Sequence, residues 1–205
     1  MDKQNRVQWI YTSKDNEELR ERYDQWAKEY DEDLEKNHDY QAPKVTAGYL
    51  TKYVPREARI LDVGAGTGLM GEVLANLGYN NQIAIDLSQG MLDLAQQKNI
   101  YQELYQMVLG ETLDFPTNSF DAAVSTGVFT QAHAPASAFD ELVRIVKSGG
   151  YIIFTLSTDS YKNAGFKEKF DTLESKGKWK LVESSEEQKF TTGSSFHHQI
   201  WVFQV

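Results

Sequence analysis

The sequence predicts an α/β three-layer sandwich. A seven-stranded, mostly parallel sheet carries helices on both faces, an antiparallel C-terminal hairpin at one edge and a helical cap at the N-terminus. Three observations carry this. Short apolar runs alternate with helical periods from residue 59 to 156, the pattern that crossover helices impose on buried parallel strands. A glycine cluster, Gly64, Gly66 and Gly68, closes the first run and opens a helix. Two late strand-like runs follow each other with only a glycine-containing link between them, a hairpin signal. The 205 residues suffice for one sizeable core. We divide them into a cap or lid, residues 1–57, and the domain beneath it, residues 58–205, as one structural unit.

Each element follows from local pattern. Residues up to Lys14 show no period and predict no element. Asp15 reads as a helix N-cap with Glu18 three positions on. Leu19, Tyr23, Trp26, Tyr30 and Leu34 then form one apolar stripe on an otherwise acidic helix. A turn region from Asn37 to Pro43 leads into a second helix over Lys44–Tyr53, ended by Pro55. Ile60, Leu61 and Val63 make the first strand. Leu69–Leu77 is a helix, with Gly78 just past its end. Gln82–Leu87 is the second strand, and Ser88 caps a helix running through Lys98. Tyr105–Leu109 is the third strand. Phe120–Thr126 is the fourth, ending at Gly127. Ala136–Val146 is helical, Gly149-Gly150 follows it, and Tyr151–Leu156 is the fifth strand. A polar helix over Lys162–Lys176 precedes two long strands, Trp179–Lys189 and Ser195–Gln204, linked by Phe190–Ser194 with Gly193 inside.

Composition narrows the function. The absence of cysteine excludes disulfides, thiolate metal sites and cysteine nucleophiles, and suits a cytoplasmic setting. Met1-Asp2-Lys3-Gln4-Asn5-Arg6 has no apolar segment of the secretory kind. No apolar run approaches the ~20 residues of a membrane helix. A formal net charge of -9, with eleven acids against four bases from Asp15 to Asp39, argues against a nucleic-acid partner, because phosphate binding draws on a basic face.

The chemistry concentrates in Leu61-Asp62-Val63-Gly64-Ala65-Gly66-Thr67-Gly68-Leu69. Glycines let the backbone turn sharply and approach a ligand. The next helix offers free N–H groups, and a crevice is expected at the strands' carboxyl ends. Asp62 can accept from an ammonium group. Asp86, 24 positions later, can hold both hydroxyls of a ribose. Two cofactors compete for this pattern. Gly66, Gly68 and Gly71 match G-x-G-x-x-G, which with an acid about 20 residues on suits a nicotinamide dinucleotide. Those glycines start late after the strand, however, and Asp62 would repel a pyrophosphate. A cofactor with an amino-acid head, a nucleoside tail and no phosphate suits Asp62 better.

The D-V-G-A-G-T-G run after a strand, the acid ending the second strand and the late hairpin resemble the class I S-adenosylmethionine-dependent methyltransferases, a Rossmann-like fold, over residues 44 to 205. Three shorter motifs resemble the Williams–Beuren syndrome region methyltransferase-like group within that class. They are Tyr23-Asp24-x-Trp26-Ala27-x-x-Tyr30-Asp31, Tyr40-x-Ala42-Pro43 and Gly127-Val128-Phe129-Thr130-x-x-His133-x-Pro135. The resemblance implies S-adenosyl-L-methionine as cofactor. It places the loop of Gly64, Ala65, Gly66, Thr67 and Gly68 against the methionine part, with Asp62 near its ammonium. Asp86 would bind the ribose, Leu87 and Met91 the adenine, and Gly110-Glu111 the adenine amino group. Glu111 is a mild departure from the family's usual pattern. Thr126 and Gly127 would lie under the sulfonium. Leu87 and Met91 are equally good as core, Glu111 as a solvated carboxylate, and the Tyr23, Trp26 and Tyr30 stripe as a packing face. On the functional alternative Tyr30 closes over the cofactor.

Methyl transfer from a sulfonium is a displacement helped by alignment and exclusion of water. A base is needed only for a protonated acceptor. His133, after the fourth strand, is the candidate; its alternative is an exposed loop histidine. His197 and His198 are strand neighbours that point to opposite faces, and with His38 distant in sequence we expect no metal site. Thr126-Gly127-Val128-Phe129 lacks the proline pair of the adenine-amino and glutamine methyltransferases, so a small-molecule acceptor is expected, with a protein acceptor still open. The expected partners are that acceptor alone: no nucleic acid, no membrane, and a monomer or weak homodimer. The rival functions are a nicotinamide-dependent oxidoreductase and a non-catalytic S-adenosylmethionine-binding module.

Overall fold

The computed structural model describes residues 6–130, 133–191 and 196–205. Among these, seven strands form one sheet: β1 Ile60–Val63, β2 Gln82–Asp86, β3 Glu103–Gln106, β4 Phe120–Phe129, β5 Val146–Ser157, β6 Lys180–Ser184 and β7 His198–Gln204. Their order is β3-β2-β1-β4-β5-β7-β6. The first five are parallel, and β7 runs antiparallel between β5 and β6. The predicted fold is therefore the observed one. The chain enters at the middle, builds outward to β3, and returns to the other side of β1. That reversal opens a crevice between the carboxyl ends of β1 and β4.

Eight helices accompany the described strands: α1 Arg6–Tyr11, α2 Asn16–His38, α3 Ala42–Leu50, α4 Leu69–Asn76, α5 Gln89–Gln97, α6 Ala138–Ile145, α7 Thr158–Asn163 and α8 Phe166–Ser175. Alternation along the strands sends residues to two cores. Leu61, Val63, Ile83 and Ile85 join Phe129, Phe139, Phe154, Phe170, Trp179 and Phe203 on one face. Ile60, Ala122, Val124 and Ile153 pack with Leu50, Leu74 and Tyr79 on the other. The rings of Phe129 and Phe139 stack with centroids 4.5 Å apart.

Several boundaries differ from the sequence expectation, each for a tertiary reason. The segment before Lys14 holds α1, whose Ile10 is buried with Leu19 and Trp26. Arg6 Nη1 reaches the buried Asp33 carboxylate at 2.8 Å, and the Trp9 carbonyl accepts from Arg22. A six-residue helix held by distant partners leaves no period to read. The second helix starts at Ala42, with Pro43 in its first turn, and ends at Leu50. β3 lies two residues earlier because it takes its register from β2, with Leu104 opposite Ala84. β4 passes Gly127, whose φ of 76 forms an irregularity before Phe129 pairs with Leu156; the glycine marks a bulge, not an end. β5 begins at Val146, opposite Phe120. The polar helix is two, broken where Gly165 takes φ 75. Both hairpin strands are shorter than expected, and Gly193 of their link lies outside the described residues.

The Asp15 cap holds: its Oδ1 accepts from Glu18 N at 2.9 Å. The reciprocal contact is displaced by one residue, since Glu18 Oε2 accepts from Lys14 N. Leu19, Trp26 and Leu34 are buried along α2 as their spacing predicts.

Candidate functional site

The crevice is a cavity of about 720 Å³, its open mouth included. Its floor comes from the strand ends and its roof from α2. Gly64, Gly66, Ile85, Asp86, Leu87, Met91, Thr126, Gly127 and His133 line it, with Leu19, Tyr23 and Tyr30 above them. Met107, Val108 and Leu109 complete the wall beyond β3. Sequence reasoning missed these three, because it counted them as strand. Asp86 is the only charged side chain among the described residues of the lining.

Gly64 and Gly66 take φ of 69 and 55, left-handed values that a side chain resists. A Cβ on Gly64 would lie 2.3 Å from Val128 Cγ2, whereas none of the neighbouring atoms lies within 4 Å of one on Gly66. The turn is fixed by Asp86. Its Oδ2 accepts from Gly66 N at 2.8 Å, and its Oδ1 from Ser88 N at 2.8 Å. A carboxylate offers about four lone-pair positions, so acceptor capacity remains beyond these two bonds. Burial pushes the Asp86 carboxyl up, while the Ser88, Gly66 and Leu87 N–H groups pull it back. The acceptor capacity left on Asp86, above an open glycine turn, fits a ribose hydroxyl and an adjoining small chain.

The remaining candidates stand apart from the cavity. Asp62 is 1% exposed and sits behind the turn. Ala65, Thr67 and Gly68 are buried in the turn without lining the cavity. Thr67 donates through Oγ1 to Asp31 of α2. Gly110 and Glu111 are exposed and directly follow Leu109, without being among the lining residues themselves. Gly71, the last glycine of the dinucleotide pattern, faces the Tyr101 phenol: a Cβ there would lie 2.1 Å from its hydroxyl. That glycine makes room for a side chain, not for a pyrophosphate.

The roof is tied down by hydrogen bonds. Asp24 Oδ1 accepts from Ser88 Oγ at 2.6 Å and from Gly90 N at 2.9 Å, placing an anion at the start of α5, where the helix dipole favours it. Seven residues on, Asp31 meets Thr67 and Lys98. Between them, Tyr23 hydroxyl and His133 Nε2 are 2.6 Å apart, and His133 Nδ1 and Thr130 Oγ1 are 2.5 Å apart. Burial lowers the His133 imidazole to about 4, so the ring is neutral near pH 7. Tyr30 packs edge-on against Trp26 with centroids 4.8 Å apart. Among the described residues, no three His, Asp or Glu side chains are grouped to hold a metal, and no helix is long and apolar enough to cross a membrane.

Comparison with known proteins agrees with this geometry. A methyltransferase domain family matches residues 61–154. Human methyltransferase-like protein 27 is 36% identical over 181 residues, which are 84% of this chain and 73% of the relative. An uncharacterised methyltransferase of Schizosaccharomyces pombe is 30% identical over 138 residues, 62% of this chain and half of its own length. Among solved structures, a chain from the complex of the Haloferax volcanii Trm112 methyltransferase activator with a methyltransferase matches with a TM-score of 0.66. It is 17% identical, and the match covers 89% of this chain and 96% of that one. At that identity it speaks for the fold alone. The chain belongs to the class I S-adenosylmethionine-dependent methyltransferases.

Proposed function

We propose that this enzyme methylates an uncharged small-molecule acceptor beneath a lid formed by residues 1–57, which closes on the unit of residues 58–205. The observation that carries the reading is the lining. Two phenols, a neutral imidazole, Asn16, Thr126 and apolar side chains face the cavity, with Asp86 as the one charge and no Lys or Arg among the described residues of its lining. Nearby cations are already engaged: Arg22 with Glu18, and Lys98 with Asp31 and Glu72. An anionic acceptor would find no compensating charge.

When bound, S-adenosylmethionine supplies a methyl group on a positively charged sulfur. Gly64, Gly66 and Asp86 hold the cofactor, with Leu87 and Met91 beside its base and Thr126 and Gly127 near the reacting end. Asp62, Ala65, Thr67 and Gly68 shape the turn from behind. Gly110 and Glu111, exposed and directly following the lining residue Leu109, are the candidates for the adenine amino group. Tyr30 offers its ring to the positive sulfur, an attraction of about 0.5–2 kcal/mol, and α2 excludes water.

His133 is the proton acceptor, working through Tyr23. As the acceptor atom takes the methyl group, its own proton passes to the Tyr23 oxygen and the Tyr23 proton to His133 Nε2. An imidazole titrating near 4 is too weak to ionise an alcohol beforehand. It suffices once attack has made the acceptor oxygen positive and its proton strongly acidic. Thr130 orients the ring. The reading further holds that the enzyme works in the cytoplasm as a monomer or weak homodimer, without nucleic acid or membrane.

The test is a labelled-methyl assay against a cell extract, with the product identified by mass. A methylated hydroxyl, amine or carbon on a small molecule supports the reading. A methyl ester of a carboxylate, or label only in protein or RNA, refutes it. His133→Ala at full turnover on the identified acceptor removes the base.

A further inference from the structure

Behind the glycine turn lies a pair that the cavity lining does not include. The Tyr101 hydroxyl, from the loop between α5 and β3, donates to Asp62 Oδ2 at 2.5 Å. Its ring lies against the start of α4. A Cβ at Gly68 would be 3.1 Å from Tyr101 Cε2, and one at Gly71 2.1 Å from its hydroxyl oxygen. One side chain therefore meets both the carboxylate ending β1 and the backbone of the turn.

We propose that Tyr101 is a positioning residue for the amino-acid end of the cofactor, holding the Asp62 carboxylate behind the glycine turn and bracing the turn from the same side. This rests on the reading that the turn receives that end of S-adenosylmethionine.

A carboxylate withdrawn from water stays ionised only with partners. Burial pushes Asp62 up to about 7, the Tyr101 hydrogen bond and the Gly71 N–H oppose this, and the charge of Asp86 adds to it. The Tyr40 phenol, itself pushed up by burial and bonded to Thr126, faces Asp62 from the segment before α3. Without the Tyr101 hydroxyl, Asp62 would hold its proton to higher pH. Only the ionised carboxylate attracts an ammonium, so affinity through that ammonium rises with pH as Asp62 ionises.

Calorimetry of the full chain separates this from a packing role. The ligands are S-adenosylhomocysteine and 5′-methylthioadenosine, which share the nucleoside but differ in the amino-acid end. Wild type should bind the first more tightly as pH rises through about 7. Tyr101→Phe should weaken it by roughly ten- to a hundredfold at neutral pH, the range for a lost hydrogen bond to a charged group. The variant should also move the rise to higher pH and leave methylthioadenosine unchanged. Tyr101→Phe with Asp62→Asn should bind no more weakly than Asp62→Asn alone. If Tyr101→Phe melts early, Gly71→Ala displaces the same phenol from the other side and should give the same ligand-selective loss. Equal losses for both ligands, an unmoved pH profile, or Asp62→Asn binding like wild type overturns the role of Tyr101. Failure of wild type to bind S-adenosylhomocysteine at all would instead sink the cofactor assignment.

Discussion

Asp86→Asn is the sharpest probe of how the turn and the ligand share one carboxylate. The substitution keeps size and shape but exchanges one acceptor oxygen for an NH2 group. Asp86 now receives Gly66 N on one oxygen and Ser88 N on the other, both at 2.8 Å. Whichever way the amide turns, its NH2 faces one of those N–H groups and leaves a donor unpaired. That costs the free protein about 1–3 kcal/mol. The ligand loses separately, because the amide is uncharged and offers a diol fewer acceptor positions than the carboxylate. A charge-assisted hydrogen bond of about 1.5–3 kcal/mol corresponds to roughly 10- to 150-fold in Kd. Thermal melting without ligand reads the first loss, and calorimetry with S-adenosylhomocysteine reads the second. An Asp86→Asn protein that melts early yet binds within about threefold of wild type would show that Asp86 organises the turn without touching the ligand.

Three further predictions test other parts of the site. Asp24→Ala removes the acceptor of Ser88 Oγ and Gly90 N and should speed S-adenosylhomocysteine release, followed by stopped-flow fluorescence of Trp26; an unchanged release rate means α2 is not the gate. The folded Asp62 carboxyl titrates near 7, above its ordinary 3.8, so the unfolded chain releases that proton first and ligand-free stability from this group falls as pH rises from about 4 to 7. The His133 imidazole, lowered from 6.5 to about 4, acts oppositely, and stability falls as pH drops through that window. The two contributions oppose each other over the same window, and the buried His198 adds to that of His133. In urea midpoints against pH, Asp62→Asn should therefore tilt the profile towards higher stability at high pH and His133→Gln should tilt it the other way, and a profile whose slope a substitution leaves unchanged refutes that assignment. Phe139→Ala empties the centre of the aromatic core and should cost about 3–5 kcal/mol; a urea midpoint near wild type would mean that core repacks freely.

What the sequence determined by itself was whatever neighbours in the chain decide. Asp15 capping α2, the Leu19 to Leu34 stripe, the glycine turn after β1, Asp86 ending β2 and Ser88 capping α5 depend on residues within a turn or two, and all are where local pattern puts them. Strand and helix alternation then left few topologies, since parallel crossovers have a fixed hand. What only the tertiary structure decided depends on partners far along the chain. α1 exists through Arg6 and Asp33, 27 residues apart. β4 continues past Gly127 because β5 still pairs with it. The Asp62 carboxylate is buried and bonded by Tyr101, 39 residues away, a partner that no local pattern announces. His133 and Tyr23, separated by 110 positions, meet only because α2 packs over the sheet. A single sequence records which groups a residue carries but not which distant group folding brings within hydrogen-bonding reach, and in this enzyme that second fact decides what each carboxylate and imidazole can do.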